Sequence, residues 1–338
     1  MAKNDYRLEE TKGKFKIVGR VTGIGNENAY REGFTKKDEK PYKSLSFFVE
    51  TSKENRVKVE LFGMERDVVY AYSQKDKKSK AINWENRHDN HGSYKVIGIN
   101  AFLEGEGKKE RKVLVEFDAI DYILEHLKDG DFVRVTGSPD YQEFETDNGE
   151  KRQSVRFNIN SITKLDEEID FEAEDFKETS TFEQDLIIAD TMVDDETGKL
   201  LISAYIIKYG DEVVPATFVV DSEKYPKLSK NMAKRLGFGD FIKVYGLIIN
   251  ATVLEEAEVD EEDSWGGDDE IQGEFNYVTS HISEMQIVSV DSKSYEKKKY
   301  TEDDLISEEE NAFDGDVEED SFEDDDSFED DEEDLPFD

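Results

Sequence analysis

Residues 29–43 read AYREGFTKKDEKPYK, so that Tyr30, Phe34 and Tyr42 are interleaved with Arg31, Lys36, Lys37, Lys40 and Lys43. Rings and cations at this spacing suit one chemistry. The rings stack on nucleobases while the cations follow phosphates, and each stacked base contributes roughly 1–3 kcal/mol whatever its identity. Residues 70–91, YAYSQKDKKSKAINWENRHDNH, repeat the theme, with Lys75, Lys77, Lys78 and Lys80 leading into Trp84 and Arg87. A third set emerges if the flanking segments are strands: Lys14, Lys16, Arg20, Phe48, Arg56 and Lys58 then share an outer face, because successive side chains alternate. Packing competes for two of these rings. Trp84 is equally suited to a core, and contact between barrels is the lesser, competing use of an outward Phe48.

Other chemistries lack their residues. With no Cys there is neither a disulfide nor a thiolate metal site, and HDNH at 88–91 offers one His pair, which is short of a zinc set. GIG at 23–25 lacks the spacing of a nucleotide loop, and no GK[ST] occurs. Carboxylates are so abundant that any acid–base pair among them is uninformative. The expectation is a protein without catalysis, cofactor or metal.

Short strands must position the candidate residues. KFKIVGRVTGI (14–24) alternates Phe15 and Ile17 against Lys14 and Lys16. KSLSFFVET (43–51) and RVKVELFG (56–63) form a hairpin with Leu45, Phe47, Val49, Val57, Val59 and Leu61 inward. FDAIDYILEHL (117–127) switches to a helical stripe with Asp118 as cap, and strands at 129–137 and 154–165 follow. Three strands, a helix, then two strands is the order of a five-stranded OB barrel, with 64–116 enlarging one loop.

GDFVRVTG (130–137) recurs as GDFIKVYG (239–246), again after a helical pattern with Leu228, Met232 and Leu236 in its stripe and Gly237 as its stop. DLIIADTMV, KLLISAYIIKYG and DEVVPATFVVD precede the second copy, and NYVTSHISEMQIVSV (276–290) follows it. The predicted fold is mainly β, with two OB-like five-stranded barrels in tandem and a disordered acidic C-terminal tail. The boundaries are 1–165 for the first, nucleic-acid-binding barrel, 166–181 for an acidic linker, 182–292 for the second barrel and 293–338 for the tail.

The net charge of -40 is unevenly spread. Residues 1–165 hold 31 Lys or Arg against 29 Asp or Glu, residues 166–300 hold 13 against 33, and residues 301–338 hold none against 22. Only the first barrel can sit on a polyanion. The second is expected to contact a partner or a second protomer, making a homo-oligomer, with Trp265 as a possible anchor. No run of about 18 apolar residues occurs and MAKNDYRLEE lacks a signal core, so a cytoplasmic protein without membrane contact is expected.

The chain closes on EEDLPFD, apolar residues that charge alone does not require. Basic-aromatic barrel surfaces followed by an acidic tail ending in Asp334, Leu335, Pro336 and Phe337 resemble bacterial single-stranded DNA-binding proteins and their counterparts in phages and plasmids. In that family the tail ends Asp-Asp-Asp-Ile-Pro-Phe and recruits replication, repair and recombination proteins. The resemblance implies sequence-independent binding of single-stranded DNA, with Leu335, Pro336 and Phe337 contacting partners. Two departures stand out: Asp338 follows the Phe, and the chain holds two barrels where the bacterial proteins have one, an organisation closer to a phage or mobile-element protein.

Phe313, Phe322 and Phe328 set rings among tail carboxylates, so the tail also imitates a strand and is expected to compete with DNA. A random coil of this length spans about 35 Å, enough to reach the groove. The alternatives are a DNA-mimic inhibitor of a host enzyme, for which basic-aromatic loops have little use, and a structural assembly protein. Charge and stacking alone do not separate DNA from RNA.

Overall fold

The computed structural model describes residues 7–105, 107, 109–146, 148–256 and 277–305. Trp265, the tail phenylalanines and Leu335, Pro336 and Phe337 lie outside them. The chain is mainly β. Its first half runs β1 (Gly13–Thr22), β2 (Tyr30–Phe34), β3 (Pro41–Glu50), β4 (Arg56–Met64), β5 (Val68–Ser73), β6 (Lys78–Asn83), β7 (Lys95–Val96), β8 (Ile99–Phe102), β9 (Lys112–Leu114), α1 (Glu116–His126), β10 (Phe132–Glu145) and β11 (Lys151–Lys164).

β1 pairs antiparallel with both β3 and β10, β3 with β4, and β10 with β11. β11 then returns parallel to β4 at Asn158 and Glu60, which closes a ring of five strands. The period-2 alternation dictates its filling: Phe15, Ile17, Leu45, Phe47, Val49, Val57, Val59 and Leu61 are buried inside it. α1 adds Ala119, Ile120 and Ile123 to the same core. Asp118, expected as its cap, is instead in the first helical turn and binds Arg87, while Val115 holds the N-cap position without a side-chain bond.

Two features depart from the predicted loops. Part of the first loop is the strand β2, which pairs with β3 from Tyr30 opposite Leu45 to Phe34 opposite Pro41. The insert is also folded: β5, β6 and β7 make a small separate sheet, and β8 lies parallel to β11. Neither has a long alternating signature, since the small sheet needs only Val69, Ala71, Ile82 and Val115 for its core.

The second half repeats the plan with β12 (Thr179–Val193), β13 (Leu200–Ile207), β14 (Val213–Val220), α2 (Pro226–Arg235), β15 (Phe241–Glu256), β16 (Tyr277–Glu296) and a final turn α3 (Glu302–Leu305). β12 pairs with β13 and β15, β13 with β14, β15 with β16, and β16 runs parallel to β14 at Gln286 and Val219. Folded structure continues past residue 292. β16 extends to Glu296, and the buried Tyr300 and Leu305 pack with Ile187 and Ile207. Arg7 Nη2 fastens this end by donating to the Asp304 carbonyl at 2.6 Å.

The repeated glycine has a packing cause. Phe15 lies opposite Gly137 and Phe182 opposite Gly246, and both registers shift at that glycine or the residue before it. A Cβ at Gly137 would enter the Phe15 ring and the Asn158 carbonyl; one at Gly246 would enter the Phe182 ring and the Gln286 carbonyl.

β1 and β12, the first strands of the two rings, also pair antiparallel with each other, Phe15 opposite Phe182. The two rings therefore share one sheet and one apolar core within the unit Met1–Leu305. Buried polar groups fix the junction. Asn55 Nδ2 donates to the Ile248 carbonyl at 2.9 Å and its Oδ1 accepts from Asn250 N at 2.8 Å, while Ser180 Oγ donates to the Ile248 carbonyl at 2.7 Å.

Candidate nucleic-acid interface

The outer face of β3 and β4 is built by the residues that alternate with the core. Cross-strand pairing sets Phe48 opposite Lys58, Ser46 opposite Glu60, Ser44 opposite Phe62 and Tyr42 opposite Met64. Tyr42 and Phe62 stack with their ring centroids 5.6 Å apart and planes 28° from parallel. The Tyr42 ring lies over Gly33 of β2, where an added Cβ would come within 3.2 Å of it. Phe62 is 53% exposed, so the stack offers a free aromatic surface. Further along, the Arg56 guanidinium lies 5.2 Å from the Phe48 ring centroid, a flat cation on a ring. Arg31, opposite Ser44, is exposed at the side of this face, and Phe34, at the end of β2, is 70% exposed.

Ion pairs divide the predicted cations into two groups. Lys14 pairs with Glu183 at 3.2 Å, Arg20 with Glu50 at 2.6 Å, Lys43 with Asp121 at 2.5 Å and Lys58 with Glu60 at 3.1 Å. Lys16, Lys37, Lys75, Lys77, Lys78 and Lys80 are exposed and make no ion pair with a described residue; Lys36 is also exposed. Tyr30 is half-buried and donates to Glu32 Oε2 at 2.5 Å; burial, with that acceptor beside it, pushes the phenol pKa up.

Trp84 and Arg87 do not form the expected stacking surface. Trp84 packs in the small core of the insert, edge-on to Phe117 at 5.8 Å. The Arg87 guanidinium covers it at 4.0 Å and grips both carboxylate oxygens of Asp118, Nε to Oδ2 at 2.8 Å and Nη2 to Oδ1 at 2.9 Å. Both residues therefore fasten the insert to α1. Hydrogen bonding to Asp118 raises the Arg87 pKa further. Nearby, hydrogen bonds from Lys112 and His126 hold the Glu104 carboxyl down at about 2.

The acidic stretch after β11 lies against the first ring. The Phe171 ring sits between Phe132 at 6.2 Å and Phe176 at 5.4 Å, with the Arg20 guanidinium 5.9 Å from its centroid. Glu172 pairs with Lys53, and Glu178 Oε1 accepts from Asn55 Nδ2 at 2.6 Å.

Sequence reasoning missed Phe62 and Arg156. Phe62 has the same parity as Arg56 and Lys58, so extending that alternation by four residues finds it. Arg156, with its Nε 3.9 Å from Glu60, is brought to the face only by the parallel return of β11, a long-range pairing with no local signal. His88 and His91 belong to no metal-ligand cluster, and none occurs among the described residues. No helix among the described residues is long and apolar enough to cross a membrane.

No curated protein matches the sequence. Among solved structures, the wild-type single-stranded DNA binding protein of Thermus aquaticus is similar over 84% of this chain and 93% of its own, at 11% identity and a TM-score of 0.39. The mitochondrial single-stranded DNA binding protein Rim1 of S. cerevisiae is similar over 47% of this chain and 97% of its own, at 14% identity and a TM-score of 0.24. A Plasmodium falciparum SSB complex with ssDNA covers 47% of this chain and 99% of its own, at 15% identity and a TM-score of 0.21. At the level of sequence the match is far longer than either ring, running through both and on to residue 324: over residues 12–324 the chain fits the YorF family model, and it belongs to the YorF family.

Proposed function

We propose that this protein binds single-stranded DNA without regard to sequence and hands it to replication, recombination or repair enzymes. The carrying observation is the outer face of β3 and β4, where the Tyr42–Phe62 stack and the Phe48–Arg56 pair stand on one sheet beside exposed cations. Rings at this density on a solvent face suit bases, every one of which has a π-face to stack. We read each five-stranded ring as an OB-like barrel, the first binding the strand and the second serving as its intrachain partner. A DNA mimic would have no use for this face.

In this reading the acidic tail recruits partner enzymes through Leu335, Pro336 and Phe337 and competes with DNA for the groove. The protein is a binding protein of the cytoplasm and not an enzyme.

Fluorescence anisotropy of labelled oligo-dT, titrated with the full chain at two salt concentrations, tests the central point. Binding should weaken steeply with salt, because counterions are released for each phosphate neutralised. Absence of binding at low salt would reject the function. Deleting residues 306–338, which leaves the buried Leu305 in place, should tighten binding at low salt, and unchanged affinity would reject the competition by the tail.

A further inference from the structure

The insert between β4 and α1 presents a surface of its own. β5 is the central strand of the sheet β6-β5-β7, and its inward residues Val69 and Ala71 are buried in the insert's small core. Alternation therefore turns Tyr70 and Tyr72 to solvent, where they are 56% and 41% exposed. Lys95 of β7 is the register partner of Tyr72, and Ile97, 55% exposed, donates its backbone N–H to the Tyr70 carbonyl at 2.8 Å. One exposed ring needs no explanation. Two tyrosines at i and i+2 with an exposed isoleucine beside them make a contiguous apolar patch, which marks an interaction site.

The charge around this patch says what the site takes. Residues 68–97 hold six Lys or Arg against three Asp or Glu. Arg87 is held by Asp118, but Lys75 and Lys77 in the β5–β6 turn and Lys95 on the tyrosines' own face are exposed and form no ion pair with a described residue, whereas Lys78 and Lys80, opposite Ser73 and Ala71, belong to the other face of β6. Asp76, the acid in the β5–β6 turn, accepts from Ser73 Oγ at 2.7 Å and Ser93 Oγ at 3.1 Å, and so is held against the turn. The outer face of the first ring differs in this respect, since Arg20 and Lys58 are both neutralised by neighbours.

We propose that the solvent face of this sheet is a second stacking platform for single-stranded DNA, with Tyr70 and Tyr72 each receiving a base and Lys75, Lys77 and Lys95 following the backbone. The inference rests on the function proposed above and adds a separate site to it. Unpaired positive charge around exposed rings complements a strand of phosphates and bases. The same strand can serve both sites: Tyr70 follows Phe62 by eight residues, at most roughly 28 Å of extended chain.

The test uses the full chain and oligo-dT of about 30 nucleotides, longer than one barrel's site. The Tyr70→Ala/Tyr72→Ala variant should bind roughly 30-fold or more weakly, and Tyr70→Phe/Tyr72→Phe should bind as wild type does, since only the rings are needed. Replacing Lys75, Lys77 and Lys95 with Gln should flatten the salt dependence by about 0.7 in log–log slope for each phosphate no longer neutralised. If wild type binds and Phe48→Ala/Phe62→Ala weakens it while Tyr70→Ala/Tyr72→Ala stays within twofold, the platform is refuted and the proposed function stands. If wild type binds no strand, both fall.

Discussion

Gly137 and Gly246 show how much one missing side chain can decide. Each lets a Phe ring from the neighbouring first strand come close against it at the point where the register shifts. Gly246→Ala should therefore force apart Phe182 and the Gln286 carbonyl, costing about 2–4 kcal/mol in urea unfolding, the range of overpacked cores. Phe62 is the opposite case, exposed and with little to lose. Phe62→Ala should leave the thermal midpoint nearly unchanged but weaken oligo-dT binding by about 5- to 100-fold, equivalent to one stacked base. The alternation that revealed Lys58 and Arg56 also reaches Phe62, so that part of the site was legible in the sequence. The fate of Trp84 was not. A Trp beside a lysine run reads the same whether it stacks on a base or on Arg87, and only the distant Asp118 settles it.

At the scale of elements, the long alternating strands and the two helices were readable where one face is buried, as in Phe15, Ile17, Leu45, Phe47 and Val49 of β1 and β3 and in Ile120 and Ile123 of α1. The insert was not, because its strands are short and its core consists of four buried residues drawn from 47 positions of sequence, Val69 to Val115. It depends instead on polar anchors. Arg87 and Asp118 hold one side, and Glu104 accepts from His126 at 2.8 Å and pairs with Lys112 at 2.8 Å on the other. The Glu104 carboxyl is depressed from 4.5 to about 2. A depressed acid stabilises the fold fully above its unfolded value and loses that contribution as pH falls through the folded one. Thermal melts should accordingly show this anchor weakening between about pH 4.5 and 2. Glu104→Gln should flatten that part of the profile and leave the rest unchanged.

For the whole molecule, the decisive contact is the pairing of β1 with β12. Phe15 facing Phe182 places equivalent strands of the two rings against each other, as an approximate two-fold relation requires. The repeat GDFVRVTG and GDFIKVYG hinted at two similar halves, but not that their first strands would share a sheet. Residues 1–165 alone expose the edge of β1 that β12 covers, from Gly13 to Val18. That fragment should self-associate through β1 in sedimentation velocity and dissociate on dilution, whereas the full chain should show no such dependence. A fragment monomeric at every concentration would mean that β12 contributes something β1 cannot replace. In an assembly of identical copies every substitution is made twice, so a face cannot gain acid on one side only. Joining both partners in one polypeptide removes that constraint, and the pair cannot be diluted apart. Such a chain is free to divide labour between a half near charge balance and a half that is strongly acidic.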